Sequence, residues 1–341
     1  MDKINYYLLF IITVTFTVIT LGAYVRLSHA GLGCPDWPGC YGFLFGIPSG
    51  PNEILVAESK FYGFLVDELK AWKEMIHRYL AAFLGFFIFS LIYVFYKNKK
   101  LLFLSVLLSI IIIAQALLGM LTVALKLQPL IVMLHLAGGL TIISLLWLIF
   151  LKVNQNYFYN LTFDLKNISL KKIRNLLFFS YVVFIVLIIQ ILLGGWTSAN
   201  YAALACTDFP KCHNEWFPKI DFYKAFFVEI SPNLNYEFGR LDSEARVTIH
   251  YIHRIWAIFT AIMILCLSLI SYKIIKNKTQ ILISFFLIFL LFIQITLGIL
   301  NVKMSLPIYI AVAHNGNAVL LLLCLVTQLY IIKIIKNNLK I

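Results

Sequence analysis

The sequence predicts an all-α integral membrane protein of eight transmembrane helices, built as two tandem four-helix bundles that enter the membrane in the same direction. Three observations predict it. The 341 residues are 62% hydrophobic and only 13% charged, with a mean hydropathy of +0.91, which excludes an ordinary soluble domain. Eight apolar runs, near 5–25, 75–96, 101–124, 131–151, 176–197, 248–272, 279–302 and 308–332, reach the roughly 20 residues that cross about 30 Å of hydrocarbon. The first half of the chain also recurs in the second.

The first run follows Met1-Asp2-Lys3 and lacks a small-residue cleavage site, so it reads as a retained helix rather than a removed signal peptide. With the next three runs it forms an N-terminal bundle, residues 1–151. A basic linker, 152–175, leads to a C-terminal bundle over 176–341. The segments Lys97 to Lys100, Lys152 to Arg174, Lys273 to Lys278 and Lys333 to Lys340 hold half of the 28 basic residues and one acid, Asp164. All four fall on one side of an even-span topology, and the positive-inside rule makes that side, with both termini, cytoplasmic. The net charge of +13 is thereby explained by topology. The two long outer loops, 26–73 and 198–247, are mildly acidic and offer no nucleic-acid surface.

The duplication is read residue by residue. Cys34-Pro35-Asp36-Trp37-Pro38-Gly39-Cys40 aligns with Cys206-Thr207-Asp208-Phe209-Pro210-Lys211-Cys212 at an offset of 172, as Leu21-Gly22 does with Leu193-Gly194. Gln115, Leu118, Gly119, Leu121 and Val123 match Gln294, Leu297, Gly298, Leu300 and Val302, and His77-Arg78 matches His253-Arg254. Four spans per repeat is an even number, so the repeats are parallel, unlike the inverted repeats of many transporters.

Four histidines, His77, His135, His253 and His314, stand in the opening turns of apolar runs. Their offsets are 176 (His77 to His253) and 179 (His135 to His314). A neutral imidazole in hydrocarbon is costly unless it binds something. A lone one often hydrogen-bonds between helices, but two per bundle, duplicated, suit bis-imidazole ligation of haem iron. Zinc fits less well, because the ligands lie far apart on different helices with no ligating cysteine nearby.

Arg78 and Arg254 are candidates for haem propionates, with snorkelling to the interface as the other reading. Glu74, three residues before His77, breaks the symmetry, since the equivalent position holds His250. A carboxylate there can relay protons or stabilise developing positive charge; the plainer reading is a helix N-terminal acid favoured by the dipole. The pairs Cys34 with Cys40 and Cys206 with Cys212 are close enough to close as disulfides, either to brace the loops or for redox exchange. Cys266 and Cys324 read as apolar packing residues, Gly138-Gly139 and Gly194-Gly195 as close approaches of helices or of a flat macrocycle, and the loop histidines His29 and His213 as having no special role.

These pieces resemble the haem A synthase family, bacterial and mitochondrial, over nearly the full length. The residues that carry the resemblance are Gly22 to Ser28 with Gly31 to Pro38, Glu74-Met75-Ile76-His77-Arg78, Gln115 to Val123, Ala199-Asn200-Tyr201 with the second cysteine loop, and His253-Arg254. The resemblance implies an enzyme that oxidises a porphyrin methyl of haem O to the formyl group of haem A by successive hydroxylations, for haem-copper terminal oxidases. It implies that His77 and His135 flank the substrate haem, that His253 and His314 hold a haem b that passes electrons, and that Glu74 is the catalytically implicated glutamate. The cysteine pairs match those of the cysteine-bearing bacterial members and are lacking in mitochondrial ones. The implied setting is a bacterial inner membrane with the cysteine loops on the periplasmic side. Haem O synthase and oxidase assembly factors are the expected partners, with membrane lipid around the helices; the electron donor and whether the chain forms a homo-oligomer stay open. On the residues alone a non-catalytic diheme b-type cytochrome and a haem transporter or chaperone stay open.

Overall fold

The structure, a computed structural model, describes residues 3–156, 168–227 and 234–339. Among them it is helical with no strands, apart from isolated bridges between Cys40 and Phe43 and between Cys212 and Glu215. Eight helices are long and apolar enough to cross a membrane: α1 (Lys3–Leu27), α3 (Glu68–Val94), α4 (Lys99–Ala124), α5 (Pro129–Val153), α6 (Leu170–Ala199), α8 (Ser243–Ile274), α9 (Lys278–Lys303) and α10 (Ile308–Asn338). Two short helices that hydropathy does not reveal, α2 (Pro51–Lys60) and α7 (Phe222–Phe226), lie in the long loops. Residues 157–167 of the predicted linker lie outside the described residues.

Several spans begin well before their apolar runs, because polar caps start the helix outside the hydrocarbon length. The Asp67 carboxylate accepts from the Lys70 N–H at 3.0 Å and that of Asp242 from the Ala245 N–H at 2.8 Å, each satisfying an orphan first-turn donor. Asn98 and Asn277 cap α4 and α9 in the same way. His77 and His253, in the opening turns of their apolar runs, therefore stand about three turns inside their helices.

The neighbours form two circuits. In the first, α1 packs on α3, α3 on α4, α4 on α5, and α5 back on α1; in the second, α6, α8, α9 and α10 do the same. They meet where α1 and α5 pack on α10 and α5 packs on α6. There the Trp147 Nε1–H donates to Thr327 Oγ1 at 2.8 Å. Leu8, Ile11, Leu108 and Leu146 are fully buried in one half, and Ile264, Leu287, Leu322 and Leu325 in the other. Large apolar side chains such as Phe86, Phe103, Phe285 and Phe292 face outward, as a lipid-facing surface requires. In hydrocarbon such a core coheres through close packing rather than through expulsion of water.

Candidate functional site

Each of the four histidine rings lies against a glycine of a neighbouring helix. A Cβ built at Gly22 would stand 3.0 Å from His77, at Gly119 3.4 Å from His135, at Gly194 3.1 Å from His253 and at Gly298 3.2 Å from His314. At Gly22, Gly194 and Gly298 a larger side chain would press on the ring, and at Gly119 it would just meet it. Glutamines meet three of these residues, His135, His253 and His314, at the ring or the backbone. Gln115 Nε2 donates to the His135 carbonyl at 2.7 Å, Gln190 Nε2 lies 3.1 Å from His253 Nδ1, and Gln294 Nε2 lies 3.2 Å from His314 Nε2. Gln190 has no glutamine counterpart in the first half, so the repeat could not reveal it.

His77 and His135 line one cavity of ≈ 860 Å³, together with Gly22, Gly119, Glu74, Arg78 and Arg26. Its far wall comes from the second half, through Gly195, Ser198 and Asn315. The Nδ1 atoms of His77, His135 and His314 are buried without a hydrogen-bond partner. The two imidazoles that border the cavity, His77 and His135, each with a glycine against its Cε1 edge, fit a flat group held between two histidines. Among the described residues no three His, Cys, Asp or Glu side chains cluster to hold a metal ion.

Glu74 is buried, the seventh residue of α3, beyond the first turn where the helix dipole would account for it. Its Oε1 pairs with Arg78 Nη2 at 2.7 Å, and its Oε2 accepts the Cys34 N–H at 3.0 Å. In the second half His250 stands in its place, and its Nδ1 accepts the Cys206 N–H at 3.2 Å. The exchange thus replaces a negatively charged acceptor with a neutral one on the same loop amide.

The two arginines have partners that local sequence does not reveal. Arg78 Nη1 donates to the carbonyls of Asp36, Pro38 and Gly39, and Arg254 donates to those of Asp208, Lys211 and Cys206. Each clamps a cysteine loop to its own helix. Both loops are closed by disulfides, with Cα–Cα separations of 4.8 Å for Cys34–Cys40 and 4.9 Å for Cys206–Cys212. Cys266 and Cys324 are free thiols, the former exposed.

The aspartate shared by the loops has a structural role. Asp36 accepts the N–H groups of Tyr41 and Gly42, and Asp208 those of His213 and Asn214. These amides belong to residues with positive φ, where the turn cannot satisfy them itself. The Asn214 and His213 amides hold the Asp208 carboxyl below its ordinary pKa of 3.8. A depressed carboxyl adds stability above its unfolded pKa that is lost as pH falls through the folded one. Hydrogen exchange should therefore find the Asn214 and His213 amides still protected at pH 3.8 and released only at lower pH; release well above 3.8 would show the contact does not hold the turn.

The glycine pairs divide their work. Gly138 receives the Gln115 amide and Gly194 the His253 ring, whereas Gly195 lies against Met133 and Leu136 of the other half. His29 is not idle. Its ring stacks on Tyr201, centroids 5.7 Å apart, at the seam between the halves, and His213 Nε2 lies 2.8 Å from the Ala205 carbonyl.

Comparison with known proteins adds to this geometry. Residues 5–326 match the family model described as cytochrome oxidase assembly protein. A Shewanella oneidensis protein named haem A synthase is 45% identical over 325 residues, 94% of either chain. Proteins of the same name from Ehrlichia canis and Rickettsia africae are 26% and 27% identical, over 94% and 92% of this chain and 90% and 94% of their own.

Proposed function

The chain belongs to the cytochrome oxidase assembly family to which these residues match, and on that premise we propose that it is a haem A synthase, which oxidises a methyl group of haem O to the formyl group of haem A. The observation that carries the reading is the cavity between His77 and His135, with a buried carboxylate, Glu74, in its wall. Haem O is the substrate there, and His77 and His135 are the ligands of its iron. Two hydroxylations of the methyl carbon, each a two-electron oxidation whose oxidant comes from outside the chain, give a gem-diol, and loss of water leaves the aldehyde.

Oxidising C–H to C–OH sheds protons or builds positive charge on the macrocycle. A carboxylate at the wall answers either need. Both Glu74 oxygens already accept from donors, Arg78 and Cys34 N–H, so the group is fixed in place before substrate arrives. The neutral His250 at the matching position supplies no such charge, which supports assigning the chemistry to the first half.

His253 and His314, each with a glycine against its ring and a glutamine beside it, would hold a haem b, a group that supplies one-electron transfer when bound. Arg78 and Arg254 are the arginines nearest the two sites in sequence, and contacts to propionates would add to their loop clamps. The two helix circuits support a tandem arrangement of four-helix units over 1–151 and 176–341. The basic segments support cytoplasmic termini in a bacterial inner membrane, with the cysteine loops periplasmic. Haem O synthase and oxidase assembly factors are the partners that this product chemistry calls for.

Glu74→Gln tests the reading. It keeps the side chain's size and removes its charge, and it should lower the rate of haem A formation by about 10²–10⁴-fold while haem O stays bound. Undiminished turnover with haem bound would remove Glu74 from the chemistry.

A further inference from the structure

Arg26 stands at the end of α1 nearest the cysteine loops and lines the same cavity. At the offset of 172 that aligns the loops, its counterpart is Ser198, so it is a second asymmetry between the halves, and like Glu74 it falls on the first-half cavity. Its guanidinium reaches across the seam. Nη1 donates to Tyr201 Oη, Nη2 donates to the Ser198 and Ala199 carbonyls at 3.0 and 3.2 Å, and the Tyr201 ring lies 4.1 Å from Cζ.

Every one of these partners is neutral. Among the described residues no carboxylate lies within ion-pair distance of Arg26, and its Nε–H is buried with no partner at all. Its charge is felt nearby, since burial and then Arg26 lower the pKa of His29. A half-buried cation whose Nε–H is buried and unspent in a cavity wall calls for an anion. Nε–H is one prong of the planar fork that binds carboxylates with two parallel hydrogen bonds. Arg78, by contrast, already spends its guanidinium on three loop carbonyls and Glu74.

The geometry points to Arg26 as the binding residue for a propionate carboxylate of the haem in the first-half cavity, held in position by the second half. The assignment rests on the proposed function, which puts haem O there. It also explains why the halves meet at this point, because the residues that grip Arg26, Ser198, Ala199 and Tyr201, belong to the half that does not carry the substrate ligands. Substrate fit in one half then depends on docking of the other.

The test compares uptake of haem O and of haem O dimethyl ester, whose propionates cannot be ionised, by the full-length protein in detergent. Haem O is separated from haem b by chromatography. Wild type should prefer the free acid, and Arg26→Gln should lose that preference by about 10- to 100-fold while its affinity for the ester stays at the wild-type value. Tyr201→Phe, which removes one grip but not the charge, should keep the preference. Should Arg26→Gln not fold, Arg26→Lys decides: it keeps the cation without the fork, so an intermediate preference with unmoved ester affinity supports the assignment. Acid and ester affinities falling together, or a preference that survives Arg26→Gln, would overturn it alone. A wild type that takes up no haem O overturns the proposed function and this assignment with it.

Discussion

Arg78→Met should destabilise the protein by about 3–5 kcal/mol, the cost of leaving one member of a buried ion pair without its partner. Glu74 is 5% exposed, and the Arg78 and Glu74 side chains are 11% and 6% exposed, so water cannot take the place of the guanidinium. The change also strips the first cysteine loop of the donor to its Asp36, Pro38 and Gly39 carbonyls. Adding Glu74→Gln removes the stranded charge and should recover most of the loss, leaving the share due to the loop carbonyls. Equilibrium unfolding in detergent of the two single variants and the double variant separates these parts. A loss below about 1 kcal/mol for Arg78→Met, the size of an exposed pair, would show that the buried pair does not secure the loop.

Much of this arrangement was legible in the chain because the halves repeat. The eight spans follow from hydropathy, and the histidine pairs, the cysteine loops and the exchange of Glu74 for His250 follow from alignment at offsets of 172 to 179. Helix starts were less legible. Asp67 and Asp242 cap polar turns that project past the apolar lengths, and a hydropathy window registers only what lipid requires.

Partners across the seam were not legible either. Arg26 meets Tyr201, in the turn after α6, over a separation of 175 residues, and nothing in local pattern announces a contact between segments so far apart. The same holds for the arginines beside His77 and His253. Arginine after a haem-ligating histidine suits a propionate, and in the fold a backbone loop also returns over each guanidinium and takes several of its donors. The Gly22 and Gly194 pair was visible as a repeat, but the reason for it, a ring pressed against the helix backbone, appears only once the helices are packed.

On the proposed reading each of the four histidines is half of a two-ligand site, so the largest functional effects should come from them. His77→Ala or His135→Ala removes one imidazole from the wall of the ≈ 860 Å³ cavity. It should abolish haem A formation and retention of haem O, with haem b still bound in the other half. His253→Ala or His314→Ala should do the opposite to the haem content, emptying the second site of haem b while haem O is still taken up. The decisive measurement is extraction and chromatography of the haems carried by wild type and by each His→Ala variant. Loss of haem O and haem A with His77 and His135, and of haem b with His253 and His314, is the expected result. Haem b lost with the first pair and haem O with the second would contradict the division of labour between the halves.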